Sequence, residues 1–276
     1  MANNKKLVEL KDATLKRGER VLWEGLSAVI QAGEFVAVLG PNGAGKTSLI
    51  KVLLGLLPLT SGSATIDGKD PERGNHQIGY IPQQKGFDTM LPIRGRDLVE
   101  LGINGHKFGL SGKRQAAKPV GRAIEAVGSS DYASMPIGLL SGGEQQRLRI
   151  AQALVGQPDI LLCDEPLLSL DLASQSTIIN LLNDYRREHD AAVIFVTHEI
   201  NPVLPYVDRI LYLANGQWVI DTPNRVLQSK TLTKLYGTPI EVLHVHERVL
   251  VVGAEDEALT AAGVHHAHEK DIGDEH

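Results

Sequence analysis

The feature that constrains this chain most is an eight-residue string, Gly40-Pro41-Asn42-Gly43-Ala44-Gly45-Lys46-Thr47, followed by Ser48. It stands between a continuously apolar run, Phe35 to Leu39, and a segment from Lys46 that patterns as a helix. The string fits the phosphate-loop pattern G-x-x-x-x-G-K-[ST], and its context is right, with a strand buried on both faces feeding it and a helix leaving it. Glycines let the backbone curl closely around an anion, so that successive N–H groups and the helix N-terminus point at phosphate. On this reading Lys46 bridges the β- and γ-phosphates of a nucleotide and the Thr47 hydroxyl ligates Mg²⁺.

A phosphate loop needs a parallel sheet behind it, and the chain supplies one. Ile160 to Cys163 and Val193 to Val196 are further short apolar runs, each preceded by a helical pattern, which predicts strand–helix–strand crossovers and an α/β core. Ahead of that core, Leu7 to Leu15 and Val21 to Ile30 read as antiparallel strands around the turn-prone Arg17-Gly18-Glu19-Arg20. Between Lys85 and Leu140 the pattern turns glycine-rich and helical, with helices expected at Arg94 to Leu101 and Lys118 to Val127, so a helical lobe of about 85–155 is inserted there. After Asn201 come a strand at Arg209 to Leu213, a hairpin at Asn215-Gly216 and a short helix near Leu227 to Leu235. The expected division is a module at 5–245 and a C-terminal extension at 246–276 with a disordered, histidine-containing end.

Charge and composition narrow the partners. The formal net charge of −5 sits in residues 253–276, which hold seven acids against Lys270 and leave residues 1–252 at +1. A body that neutral lacks the broad basic surface of a nucleic-acid binder. Cys163 is the only cysteine, so an intramolecular disulfide and a cysteine-rich metal site are excluded; inside its apolar run it reads as packing. The start, Met1 to Lys6, is polar, and the most apolar stretch, Leu49 to Leu59, falls well short of the roughly 20 residues that cross a bilayer. A membrane role therefore has to come through a partner.

Two acids end the run Ile160-Leu161-Leu162-Cys163-Asp164-Glu165. Carboxylates at the C-terminal edge of a parallel strand lie where ligands gather, so Asp164 is expected in the Mg²⁺ shell. Glu165, one residue on along the pleat, is expected to polarise the attacking water. Farther upstream, Leu140-Ser141-Gly142-Gly143-Glu144-Gln145-Gln146-Arg147 opens a helix whose apolar positions Leu148, Ala151 and Val155 keep i, i+3, i+7 spacing, making a second glycine-started anion site.

That octapeptide resembles the signature of the ATP-binding cassette family, and the resemblance covers about residues 5–240. It implies a P-loop ATPase fold with ATP and Mg²⁺ as cofactors and a head-to-tail pair of identical subunits. In such a pair the signature of one copy (Ser141, Gly142, Gly143, Glu144) closes on the γ-phosphate held by the other. Gln83, in Tyr80-Ile81-Pro82-Gln83, is similar to the glutamine that contacts Mg²⁺ and the attacking water. Asp171, in Leu168-Ser169-Leu170-Asp171, resembles the aspartate that crosses the dimer interface, and His198 the histidine that hydrogen-bonds the γ-phosphate. The catalytic set implied is Glu165, His198 and Gln83.

Three departures stand out. Arg17 occupies the place of the usual adenine-stacking aromatic, and a guanidinium stacks on any base, with Trp23 a second candidate for that contact. Glu144 stands where glutamine is commoner, and Leu167 and Leu168 replace a small polar pair. One cassette per chain and only residues 84–140 between Gln83 and the signature argue against soluble translation-factor or DNA-repair cassettes, the latter carrying a long coiled coil. The resemblance then implies a transport ATPase on the cytoplasmic face of a membrane, working with permease subunits and, through them, a solute-binding protein, and not with nucleic acid. Met90 to Gly102, Glu165 to Asp171 and Tyr236 to Val242 resemble ATPases of zinc/manganese importers, with iron-chelate importers next and an exporter ATPase as a further alternative. His265, His266, His268 and His276 in the tail allow a loose metal contact or simply a solvated tail.

Overall fold

The computed structural model describes residues 5–83, 86–104, 113–168, 170–246 and 248–253. The chain divides into two compact units, Met1–Pro223 and Asn224–His276. In the first, β1 (Lys6–Arg17) pairs antiparallel with β2 (Arg20–Gln31) and with β4 (Ser61–Ile66), in the order β2-β1-β4. β2 alternates buried and less buried residues over its second half, the pattern of a strand with one face on the core, whereas register shifts along β1 break the alternation into runs.

The central sheet has the order β5-β6-β7-β3-β8-β9. Its strands are β3 (Phe35–Leu39), β5 (Ile78–Ile81), β6 (Ile160–Asp164), β7 (Ala192–Val196), β8 (Arg209–Ala214) and β9 (Gln217–Asp221). All neighbours are parallel except β8 and β9. Every residue of β3, β6 and β7 is buried, which is why their sequence reads as unbroken apolar runs. The β8–β9 hairpin turns at Asn215 and Gly216, both with positive φ (50° and 77°), as a two-residue turn of the primed kind demands.

Three helices form the inserted lobe: α2 (Gly95–Asn104), α3 (Lys113–Ala126) and α4 (Gly142–Leu154), with α2 and α3 both packed on α4. The helix expected at Lys118 begins a turn and a half earlier, at Lys113, and carries Pro119 inside it. Pro119 is its seventh residue, past the first turn, where a proline forfeits the bond to the carbonyl four residues back but here does not end the helix, so it did not mark the N-terminus. The helices α1 (Lys46–Leu53) and α5 (Leu172–His189) belong to the core.

In the second unit, α6 (Pro223–Val226) and α7 (Ser229–Tyr236) precede an antiparallel pair, β10 (Ile240–Val245) and β11 (Arg248–Gly253). Hydroxyls of α7 cap the strand: Ser229 accepts the Val242 N–H at 2.9 Å and Thr233 accepts that of Ile240 at 3.0 Å. Val245 pairs with Arg248, so a boundary at 245/246 cuts through this hairpin, and the structure divides at 223/224 instead. The acidic tail and its four histidines lie outside the described residues, as does Ser169.

Candidate functional site

The loop after β3 can only be built from glycine where glycine stands. A Cβ on Gly40 (φ 141°) would lie 2.0 Å from the Leu213 carbonyl oxygen, and one on Gly45 (φ 99°) would lie 2.9 Å from Trp23 Nε1. The fully buried Trp23 therefore underlies the loop. It is a floor, not a base-stacking ring, and its Nε1 has no hydrogen-bond partner. Gly45 starts α1 in the left-handed region with no side-chain cap, so the first N–H groups of that helix are left for a ligand.

Lys46 is 6% exposed and curls back so that Nζ donates to the carbonyls of Gly40 (2.7 Å) and Pro41 (3.2 Å). Burial lowers its pKa, and the nearby Glu165 and Asp164 act in the opposite direction. The Thr47 hydroxyl donates to Asp164 Oδ1 at 3.1 Å. Asp164 ends β6 at 2% exposure, and burial raises its pKa against the opposing Thr47 hydrogen bond. Ala44 is buried, while Pro41 and Asn42 sit exposed at the loop's outer rim and Ser48 is half-buried on α1.

Glu165 does not continue the pleat as the sequence implied. The strand stops at Asp164, and Glu165 takes a left-handed backbone (φ 48°) with its N–H bonded to the Val196 carbonyl at 3.0 Å. A non-glycine residue held there is strained and is kept by its surroundings. The turn aims the carboxylate at two other sequence-marked residues: Gln83 Nε2 donates to Glu165 Oε2 at 3.0 Å, and His198 Nδ1 lies 3.9 Å from the same oxygen. Glu165 and His198 line a cleft of about 170 Å³ whose wall also includes Leu168, Gln175 and Thr197. Leu167 is buried, so that substitution of a polar residue is absorbed as packing. Cys163 is fully buried, and burial pushes its thiol pKa far up, so it too is packing.

The second glycine turn is built differently. Ser141 caps α4 in a complete capping box. The Glu144 carboxylate accepts from both the N–H and the hydroxyl of Ser141, each at 2.8 Å, and the Glu144 N–H reaches back to Ser141 Oγ at 3.4 Å. Gly142 starts the helix, and a Cβ on Gly143 would meet nothing nearer than Ser174 Oγ at 3.7 Å. Asp171 caps α5, accepting from the Ser174 N–H (2.8 Å) and hydroxyl (2.9 Å), which lowers its pKa.

Two kinds of residue escaped the sequence reading. Arg20 pairs with Arg17 across the end of the β1–β2 ladder, and its guanidinium nitrogens lie 3.4 Å from where a Gly43 Cβ would stand. Among the described residues neither arginine has an acid partner. Like charges opposed across a ladder are a hint readable in advance. Gln146 was less legible: fully buried in α4, it donates from Nε2 to the Pro166 carbonyl at 3.0 Å and so ties the signature helix to the residue after Glu165.

Residues 23–168 match the family model described as ABC transporter. The manganese transport system ATP-binding protein MntB of Bacillus subtilis is 34% identical over 250 residues, covering 90% of this chain and 99% of that protein. The zinc import ATP-binding protein ZnuC 1 of Hahella chejuensis is 31% identical over 271 residues, covering 98% of each. Among solved structures, a metal-chelate type ABC transporter in an inward-facing conformation superposes with a TM-score of 0.74 at 26% identity, covering 89% of this chain and 96% of that one.

Proposed function

This chain belongs to the ABC transporter family as one of its ATP-hydrolysing subunits, and from that premise we propose that it powers import of a divalent metal ion of the zinc/manganese kind. The hydrolytic part of the reading is carried by one observation, the convergence of Gln83, Glu165 and His198 beside the Thr47–Asp164 pair. The metal part rests on relatives matched over nearly their whole length.

In this reading Lys46 exchanges its two loop carbonyls for the β- and γ-phosphates of ATP, a stronger charge-assisted pairing. Arg17 and Arg20 flank the nucleotide on the outer side of the loop, where phosphate or a stacked base offsets their mutual repulsion. The oxygens of Thr47, Asp164 and Gln83 suit a hard cation, and Asp164, whose pKa burial raises, gains a partner for its charge when Mg²⁺ is present. Bound Mg²⁺ would neutralise charge on the phosphate oxygens. Glu165, oriented by Gln83, holds the attacking water and receives its proton, and His198 hydrogen-bonds the γ-phosphate. Ser141 and Gly143 act on the nucleotide of a second copy, and Asp171 lies at the junction between the copies.

No helix among the described residues is long and apolar enough to cross a membrane. On the family reading, the subunit works at the cytoplasmic face on separate permease subunits, to which a solute-binding protein delivers the cargo. An open groove of about 600 Å³ between β5 and the lobe, lined by Tyr80, Pro82, Leu101 and Gln152 among others, supports docking of a permease segment there. Deleting the gene is expected to lower cellular zinc or manganese under scarcity, with recovery on restoring the wild type but not Glu165→Gln. Iron loss with zinc and manganese unchanged would move the assignment to metal-chelate import, the reading that the inward-facing structural neighbour favours. No change in any of the three would reject metal import and leave the ATPase standing.

A further inference from the structure

The loop that follows Gln83 and the turn that precedes Ser141 are joined by one buried side-chain amide. Gln145 lies on α4, 6% exposed, with both ends of its amide in use. Its Oε1 accepts the N–H of Phe87 at 3.4 Å, and its Nε2 donates to the carbonyl of Leu140 at 2.9 Å. Phe87 stands four residues after Gln83, and Leu140 is the residue immediately before Ser141. The same loop is held at two further points. The Phe87 ring lies 4.4 Å beneath the guanidinium of Arg149, one helical turn on from Gln145 and itself 7% exposed. Asp88 and Thr89 press so closely on Gly138 that a Cβ there would stand 2.3 Å from the Asp88 carbonyl oxygen and 2.7 Å from Thr89 Cα.

We propose that Gln145 is a positioning residue that makes the turn at Leu140–Ser141 follow the loop after Gln83. When the nucleotide draws Gln83, the signature of the same subunit is thereby set for the γ-phosphate held by its partner copy. A buried amide suits this task because it has a donor and an acceptor at a fixed separation. If the Leu140 end lets go, a buried carbonyl is left without a partner, and if the Phe87 end lets go, the buried amide oxygen of Gln145 is, so separating the two backbones is costly at either end. An apolar residue of the same size would fill the space and transmit nothing. The inference rests on the ATPase reading above, with Gln83 as its sensor and Ser141 as its effector.

The test uses the full-length chain carrying Gln145→Met, which keeps the volume and removes both hydrogen bonds. Binding of a fluorescent ATP analogue to the monomer is expected within about twofold of wild type, because Gln145 touches no phosphate-loop residue, whereas kcat falls about tenfold or more. In a Glu165→Gln background, the ATP concentration needed to form the dimer is expected to rise to a similar degree, and the Hill coefficient of hydrolysis to fall toward one. Phe87→Leu, which leaves α4 intact, is expected to do the same to a smaller extent, and the double variant to be no worse than Gln145→Met alone. A well-folded Gln145→Met with wild-type kcat and dimer formation overturns the proposal. So does a loss that disappears on cooling in step with recovered folding, which marks a role in stability only; if that variant fails to fold, Gln145→Glu, which keeps the acceptor for the Phe87 N–H and loses the donor to the Leu140 carbonyl, decides by the same criteria. A wild-type chain that hydrolyses no ATP would instead strike the reading on which the inference rests.

Discussion

Both proposed anion sites are glycine turns that open a helix, yet one is left open and the other is closed on itself. At the start of α1, Gly45 provides no side-chain cap, and the groups that lie over the loop are cationic: Lys46, folded back onto its carbonyls, and the Arg20 guanidinium beside Gly43. At the start of α4, the Ser141 N–H and hydroxyl are both taken by Glu144, a carboxylate from the same turn. The first site is built to receive an anion directly. The second already holds an internal one, which, on the proposed function, a γ-phosphate would have to displace. The difference teaches that similar strings of glycine and hydroxyl residues do not make equivalent sites. What matters is whether the N–H groups of the first turn are spoken for.

The largest expected effect breaks the open site. Lys46→Ala removes the buried cation whose Nζ folds over the loop, and ATP affinity measured by equilibrium binding should fall on the order of a hundredfold. Unchanged affinity would show that the loop is not the nucleotide site and the comparison has no first term.

Asp164→Asn should act in two directions. Hydrolysis should drop by about two orders of magnitude through loss of the cation's carboxylate ligand. The nucleotide-free chain should nonetheless melt at a higher temperature. Burial holds the Asp164 pKa above its ordinary 3.8, so the folded chain takes up that proton more readily than the unfolded one. The stability linked to this group is full below the ordinary value and is lost as pH rises through the raised one; asparagine abolishes the loss. Melting curves of the two proteins across acid to neutral pH check the sign, and a lower melting temperature for Asp164→Asn at neutral pH would contradict it.

The smallest effect sharpens the comparison at the closed site. Glu144→Gln keeps the capping box but makes the internal acceptor neutral, a weaker competitor for Ser141. In a Glu165→Gln background, dimer formation should then need about two- to fivefold less ATP, the scale of a partly exposed charge interaction, and the gain should shrink at high salt. An increase in the ATP required would mean that Glu144 assists the incoming phosphate and does not compete with it.

Much of this was legible in the chain itself. The runs that became β3, β6 and β7 announce themselves because both faces are buried, and the phosphate loop is unambiguous because steric and electrostatic demands leave few residue types at each position. The short strands β4 and β5 and the β10–β11 hairpin left no such trace. Their residues are partly exposed and mixed, so their pairing depends on neighbours distant in sequence.

What the sequence determined alone was the list of candidate reacting groups and their order along the chain, since chemistry selects residue types. The tertiary structure decided the rest. The left-handed turn at Glu165 brings it to Gln83, 82 residues away, and Trp23 is committed as the floor under Gly45. Gln145 and Gln146 are buried with their amides joining separate loops, where a helical pattern would equally have allowed them solvent. Those outcomes depend on which backbone groups are left unpaired inside the folded core, a quantity that exists only once the strands and helices have met.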